Sequence, residues 1–278
     1  MKHPIFTQGQ PYTIAYRKNK PQNPVAIHSH DAAELYLTLS DLEDVILEDK
    51  VLRVPAGTLI IIPPFCLHQL YHNSDVFYER YVINIQMKWL DDVFSGADDS
   101  LHYLGQSSAP VLISLSDDQL KEIINQIRKM IVFGNEFNSR SFSEFFFLMA
   151  KIDEAVSETV SKNKDVYNTN KTQEKVSEII SYINDHICDE ISVSSIADHF
   201  YLNPDYISRL FKRYAHASLG KYISLSKMSA AQNLLKQGFS VKEVQEKLGY
   251  CSYAHFFKTF KNSVGISPSI FRKNNIKN

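Results

Sequence analysis

Apolar and polar positions follow two different periods along this chain, and the change falls near residue 117. Up to about residue 90 the apolar residues come in short runs: "ELYLTL" (34–39), "VILED" (45–49), "TLIIIP" (58–63) and "FYERYVINI" (77–85). The runs are rich in β-branched and aromatic residues and are divided by Pro, Gly, Asp and Asn, which predicts the strands of a sandwich or small barrel. From Asp117 the spacing becomes helical. Leu120, Ile123, Ile124, Ile127 and Ile131 share one face, and Phe142, Phe145, Phe146, Met149, Ile152 and Val156 repeat the pattern. Two antiparallel helices over about 117–158 are expected, joined around Gly134–Asn138. The stretch 161–172 has few apolar residues and no period, so it reads as a flexible polar linker.

After the linker the chain is helical, with clear start signals. Ser240 and Glu243 have capping-box spacing, in which the hydroxyl accepts from an amide three residues on and the carboxylate reaches back. Asn203-Pro204 and Ser267-Pro268 each place an N-cap before a proline at the first helical position.

This region also repeats itself. Val193, Ile196, Ala197 and Phe200 match Val241, Val244, Gln245 and Leu248 at an offset of 48. Ile207, Phe211, Lys212 and Ser218 match Phe256, Phe260, Lys261 and Ser267 at 49, with one residue inserted in the turn. Each unit is a short helix, a tight turn and a second helix, which is the helix-turn-helix pattern (units about 192–215 and 240–264). A connecting helix from about Leu219 to Gln237 would span ~28 Å at ~1.5 Å per residue. That is close to the ~34 Å of one DNA turn, so both second helices can enter successive major grooves.

Composition sets the class. The chain has 278 residues, enough for one large domain or two ordinary ones, and its 44% apolar and 22% charged content fits a soluble globular protein. No run approaches the ~20 apolar residues of a membrane helix. The N-terminus lacks a signal-peptide core, so no membrane partner and a cytoplasmic address are expected. Cys66, Cys188 and Cys251 are odd in number and far apart, which suggests neither a disulfide framework nor a CxxC metal site. Charge is uneven: residues 172–278 carry 14 Lys/Arg against 9 Asp/Glu, and the rest 16 against 22. A basic C-terminal third on an acidic body suggests that this third meets a polyanion.

The stretches "SVSSIADHFYLNPDYISRLFKRY" and "SVKEVQEKLGYCSYAHFFKTFKNSVGISPSIFRK" closely resemble the C-terminal DNA-binding domain of AraC/XylS-type transcriptional regulators, over residues ~174–273. Three positions depart from the family pattern: His216 where the first unit usually has Gly, Gln245 where a small residue is usual, and Lys227 where Arg is common.

The N-terminal runs contain "HSHDAAE", which places His28, His30 and Glu34 in an HxHx₃E pattern, followed by "GTLIIIPPFCLH" ending at His68. Histidines at i and i+2 share a strand face. The set resembles the cupin barrel motifs, with Phe65 where Gly is usual, and a cupin-like domain is what the AraC-type resemblance implies. Three roles stay open for these residues: a sensing pocket of hydrogen-bonding groups, which is preferred; a His₃Glu metal site; and structural histidines. Tyr36, Arg80, Tyr81 and Asn84 lie on neighbouring strand runs, and alternation must turn half of them away.

The expected architecture is thus a two-domain α+β protein. A cupin-like barrel (about 1–115) with two appended helices forms domain 1–160, a linker spans 161–172, and an all-α domain spans 173–278. The expected function is sequence-specific DNA binding controlled by a small-molecule effector, not enzymatic catalysis, and no cofactor is required. Sugars are the commonest effectors that the resemblance implies. The alternatives are a metal-dependent cupin enzyme fused to a DNA-binding tail, and a regulator without a small-molecule signal.

Asp205, Ser208, Arg209 and Lys212 are expected on the DNA-facing side of the first unit, and Tyr253, Ala254, Phe257, Lys258 and Lys261 on that of the second. His28, His30, Glu34, Tyr36, His68 and Arg80 are expected to line the ligand pocket. The partners expected are double-stranded DNA half-sites, the effector, a second copy of the chain (docked through an apolar stripe left by Phe142, Phe145 and Phe146) and, for an activator, RNA polymerase.

Overall fold

A computed structural model describes residues 6, 10–20, 27–71, 77–93, 104, 109–134, 136–162 and 170–275. Eight strands come first: β1 (Tyr12–Asn19), β2 (Ala33–Thr38), β3 (Leu42–Leu47), β4 (Lys50–Val54), β5 (Thr58–Ile62), β6 (His68–Tyr71), β7 (Tyr78–Ile85) and β8 (Val111–Ser114). Between β7 and β8 lies α1 (Met87–Val93), and after β8 come α2 (Asp117–Val132) and α3 (Ser139–Lys162). The C-terminal half holds α4 (Lys171–Asp185), α5 (Val193–His199), α6 (Pro204–Ala215), α7 (Leu219–Lys236), α8 (Val241–Lys247), α9 (Tyr253–Val264) and α10 (Pro268–Asn275).

Every residue of β2 and β5 is buried, so these strands must be covered on both faces. They lie inside an antiparallel sheet of order β1-β7-β2-β5-β8. One face, with Tyr36, Ile60, Ile62 and Tyr78, meets the inner face of a second sheet, β4-β3-β6, at Leu42, Val45, Leu52 and Leu70. The other face, with Leu35, Leu37, Leu59, Ile61, Tyr81 and Ile83, is covered by Ile123, Ile127 and Met130 of α2 and by Phe145, Leu148 and Ile152 of α3. Period-two alternation along the strands thus serves two cores at once.

The outer face of the three-stranded sheet is apolar too, and the C-terminal half covers it. Ile46, Val51 and Leu67 pack with Val176, Ile179, Ile180 and Ile183 of α4 and with the first helix-turn-helix unit. The polar groups at this seam are paired. Gln173 donates to the Glu43 carbonyl (3.1 Å) and to Asp44 Oδ1 (3.3 Å). The Val51 amide donates to Ser177 Oγ at 2.9 Å, and Tyr222 Oη to the Glu48 carbonyl at 3.2 Å. The expectation of halves tethered without a fixed angle is corrected here, because an apolar sheet face needs a cover. Of the expected linker, 161–162 end α3, 171–172 begin α4, and 163–169 lie outside the described residues.

The aromatic residues of α3 differ from expectation as well. Phe145 is fully buried, and Phe142 and Phe146 are half-buried against Trp89 of α1, with ring centroids 5.6 and 6.4 Å away. They finish the core and do not form an exposed stripe; Phe147 is the exposed phenylalanine of this helix, at 63%. The unanticipated strands β1, β4, β6 and β8 are short or lie at a sheet edge.

Two left-handed residues in the helical half carry a testable consequence. Gly249 has φ +67°, and a Cβ there would lie 2.9 Å from the Cys188 carbonyl oxygen. Gly249→Ala should therefore destabilise the chain by about 1–3 kcal/mol in chemical denaturation. His216 caps α6 with φ +47°, the conformation a glycine adopts freely. His216→Gly should stabilise by up to about 1 kcal/mol. Burial also holds the His216 pKa below its usual value, against the pull of Asp44. A group with a depressed folded pKa of this kind costs stability as pH falls below its unfolded pKa, so the gain should be larger at pH 5 than at pH 7.

Candidate functional site

The two helix-turn-helix units present comparable surfaces. In α6, Asn203 caps the helix by accepting from the Asp205 amide, and Pro204 occupies the first turn. Ile207, Leu210, Phe211 and Tyr214 face the core, which leaves Asp205, Arg209 and Lys212 exposed and Ser208 half-exposed. Arg209 Nε donates to the Asp205 carbonyl one turn back, at 3.3 Å. Tyr206 and Arg213 are exposed on the same helix, and the sequence reading had not singled them out. Exposed aromatic and basic residues flanking a repeat position were the available signal.

In α9, capped by Ser252, Phe256 and Phe260 point inward. Tyr253, Ala254, Lys258 and Lys261 are exposed and Phe257 is half-exposed. All nine residues expected to face DNA therefore reach solvent at least in part.

The two units are held in register from the connector. Lys227 Nζ donates to the Asp189 carbonyl (3.2 Å) and to the Leu248 carbonyl (2.8 Å), joining the segment before α5 to the end of α8. Gln245, larger than the usual residue at its position, donates its side-chain amide to the Tyr250 carbonyl and ties the turn of the second unit.

The second constellation lies where β2 and β6 meet the segment before β2. His28 and His68 pair through their backbones, with N···O distances of 3.1 and 2.9 Å. The ligand nitrogens of His28, His30 and His68 lie within 4.8 Å of one another. His30 Nε2 is 2.9 Å from Glu34 Oε2, and His68 Nε2 is 3.9 Å from the same oxygen. His68 Nδ1 lies 3.0 Å from the Cys66 carbonyl, a partner that only a protonated nitrogen can use. That leaves Nε2 with its lone pair, buried and without a hydrogen bond, facing the cluster.

Burial pushes the His68 pKa down to about 3, so the ring is neutral at ordinary pH. Burial alone would raise the Glu34 pKa, but the hydrogen bond from His30 and the neighbouring imidazoles bring it below its ordinary value. The result is a carboxylate ringed by three imidazoles, a set suited to hydrogen-bonding a polar ligand or to ligating a divalent transition metal.

Register decides the other pocket residues. Tyr36 lies on the inner face of the large sheet, its hydroxyl buried with no hydrogen-bond partner. Arg80 and Asn84 share a strand face with Val82, which packs against that inner core. The Arg80 guanidinium lies 4.0 Å from the Tyr78 ring centroid and donates to Asn19 Oδ1 at 2.9 Å. Tyr81 points the other way, into the core under α2 and α3.

Phe65 links the two constellations. Its amide donates to the His30 carbonyl at 2.8 Å, and its own carbonyl accepts from Ser229 Oγ of α7. Its backbone is left-handed, φ +62°, at the place where a glycine had been expected. Its ring is 1% exposed and sits in the core of the second helix-turn-helix unit, among Met228, Leu235, Phe260 and Phe271. The sequence marked Phe65 only as a departure from pattern; nothing local said where its ring would go.

Comparison with known proteins finds a family match in each half of the chain. Residues 10–145 match the family described as AraC-like ligand binding domain, and residues 196–274 the family described as Helix-turn-helix domain. The xylose operon regulatory protein of Haemophilus influenzae is 31% identical over 41% of this chain and 30% of its own length. The transcriptional activator RhaS of Escherichia fergusonii is 19% identical over 96% of this chain and 95% of its own. The chain spans only 30–37% of the length of the first curated relatives it matches. An apo variant of ToxT from Vibrio cholerae aligns over 96% of this chain and 98% of its own, at 12% identity and a TM-score of 0.42. Among the described residues no helix is long and apolar enough to cross a membrane.

The Phe65 contact has a measurable signature. Phe65→Ala should speed amide hydrogen exchange in α9 and α10 by roughly tenfold or more, since loss of a buried aromatic costs about 3 kcal/mol of local stability. Unchanged protection there would mean that the ring contributes nothing to the second unit.

Proposed function

We propose, from the premise that this chain belongs to the AraC-type transcriptional regulators, that it binds specific double-stranded DNA half-sites through α6 and α9 and answers to a small molecule held by the barrel. The observation that carries the reading is the pair of helix-turn-helix units, each with a solvent-facing second helix bearing cations, joined by the 18-residue α7. At ~1.5 Å per residue that connector is ~27 Å long, near one helical turn of DNA.

In this reading Arg209 reads a base, because its planar fork matches guanine O6 and N7, and Lys212 and Lys261 neutralise phosphates. Asp205, Ser208, Tyr253, Phe257 and Lys258 complete the two surfaces. A homodimer would present four units, and an activator would also meet RNA polymerase.

The effector pocket is proposed at His28, His30, Glu34, His68, Tyr36 and Arg80, a set of hydrogen-bonding groups suited to a polyhydroxy metabolite. The relative named for the xylose operon supports a sugar or sugar-like effector. Because Phe65 ties this pocket to the second unit, an effector acts by favouring one arrangement of the halves.

Mapping genomic binding sites of the full chain tests the reading, and a set of shared half-sites spaced by about one DNA turn is expected. Absence of any sequence preference would sink it. On those sites Arg209→Ala should cost about 1–3 kcal/mol and relax specificity at one position. Lys212→Ala and Lys261→Ala should each lower the salt slope by about 1 while leaving preference intact.

A second reading of the barrel site follows from the three converging imidazoles: a bound divalent transition metal. The donor types fit. The nitrogens, however, must draw in toward the separation of about 3.4 Å that tetrahedral bonds of about 2.0–2.1 Å require. Titration with Co²⁺ decides between the readings. Visible absorption that disappears in His68→Ala would favour the metal, and its absence would leave the polar pocket.

A further inference from the structure

We propose that Cys188 and Cys251 form an oxidation site, a dithiol that a low-molecular-weight disulfide closes into an intramolecular bond between the two helix-turn-helix units. The two cysteines are far apart in the chain, but the fold carries both to one seam. Cys188 lies in the turn between α4 and α5, and Cys251 in the turn between α8 and α9. Both are exposed. A Cβ on Gly249 would lie 2.9 Å from the Cys188 carbonyl oxygen and 3.8 Å from Lys227 Nζ, so the two turns touch at this point. Lys227 clamps them from α7 by donating to the carbonyls of Asp189 and Leu248, the chain neighbours of Cys188 and Gly249.

The ammonium is the second feature of the site. Burial lowers the Lys227 pKa, and Cys188, Asp189, Cys251 and Glu190 act against that shift, so both sulfurs lie within Coulombic reach of one cation. A thiol attacks a disulfide as its thiolate, and a neighbouring cation favours that form. Cys66 is placed differently. It is buried, and burial pushes its thiol up, so it stays protonated and shielded. The step at the seam is thiol–disulfide exchange. One cysteine sulfur attacks a sulfur of the small disulfide, breaks its S–S bond and expels one small thiol. The second cysteine attacks the protein sulfur of that mixed disulfide and expels the other. Two cysteine thiols are oxidised, one disulfide is reduced to two thiols, and the cysteine protons end on those products.

A disulfide needs its two Cα atoms within about 7 Å of each other. Both cysteines sit in turns, which shift at less cost than helices. Among the described residues no backbone hydrogen bond joins the two turns, so closure breaks none. Cys251 directly precedes Ser252, whose hydroxyl caps α9 by accepting from the His255 amide. The bond therefore ties the entry of α9 to the segment that leads into α5, and the reduced and oxidised chains hold the second unit differently. The site needs only the folded helical half, so it is independent of which DNA or effector the chain binds.

The test exposes the reduced full chain to excess oxidised glutathione, blocks the remaining thiols and maps the peptides by mass spectrometry. A peptide pair linked through Cys188 and Cys251 is expected, with Cys66 recovered as a free thiol. Cys188→Ser should leave Cys251 as a glutathione adduct, and Cys251→Ser should leave Cys188 as one. The same exposure in urea should give this pairing no advantage over pairings with Cys66. Hydrogen exchange in the first turn of α9 should slow about tenfold or more in the oxidised chain and recover with dithiothreitol. Stable adducts on both cysteines without closure, disulfide-linked dimers in place of the internal bond, or equal yield of the pairing in folded and unfolded chain would each overturn the proposal. Closure that leaves exchange in α9 unchanged would overturn the tie between the units.

Discussion

Burial of the outer face of the small sheet is the constraint on which the rest of the molecule depends. Ile46, Val51 and Leu67 project away from the barrel core and would each cost about 1.5–3 kcal/mol if left in water. Val176, Ile179, Ile180 and Ile183 of α4 cover them and are covered in return. The seam is apolar in the middle and hydrogen-bonded around it, with Gln173, Ser177 and Tyr222 satisfying backbone groups of β3, β4 and the turn between them. A helix that belongs by sequence to the C-terminal half is thereby part of the barrel's architecture.

The connector α7 lies against the β5–β6 loop, and that loop reaches into the second helix-turn-helix core. Phe65 shows which energy dominates. A left-handed non-glycine backbone costs about 1–3 kcal/mol, whereas a fully buried phenylalanine is worth about 3 kcal/mol or more against its truncation. The ring's burial outweighs the strain, and the strained loop carries His68 at its far end. The polar cluster, the loop and the second unit are consequently one contiguous set of contacts between the barrel and the C-terminal half.

Much of this was legible in the sequence, and the parts that were not share a cause. The tandem units were readable because their information is local: caps at Asn203 and Ser240, inward positions at helical spacing, and a repeat that wrote the pattern twice. The HxHx₃E spacing already groups His28, His30 and Glu34, and His68 does join them. The strands β4 and β6, of five and four residues, carry too few positions for a periodic signal. The side chosen by Tyr81 over Arg80 and Asn84 waited on the register of β7 with β2. The aromatic residues of α3 suggested a surplus because Trp89, distant in sequence, had not yet been placed against them.

The sequence by itself determined the periods, the caps and the HxHx₃E spacing, because each depends on residues within about one or two turns of one another, and the repeat, because it is two such local patterns compared. Only the tertiary structure decided that the two halves are packed together, that Phe65 belongs to the core of the other half, and that Cys188 and Cys251 flank one ammonium. Those facts rest on which faces of distant elements meet. An apolar face states that it must be covered, but its pattern does not name the partner that covers it.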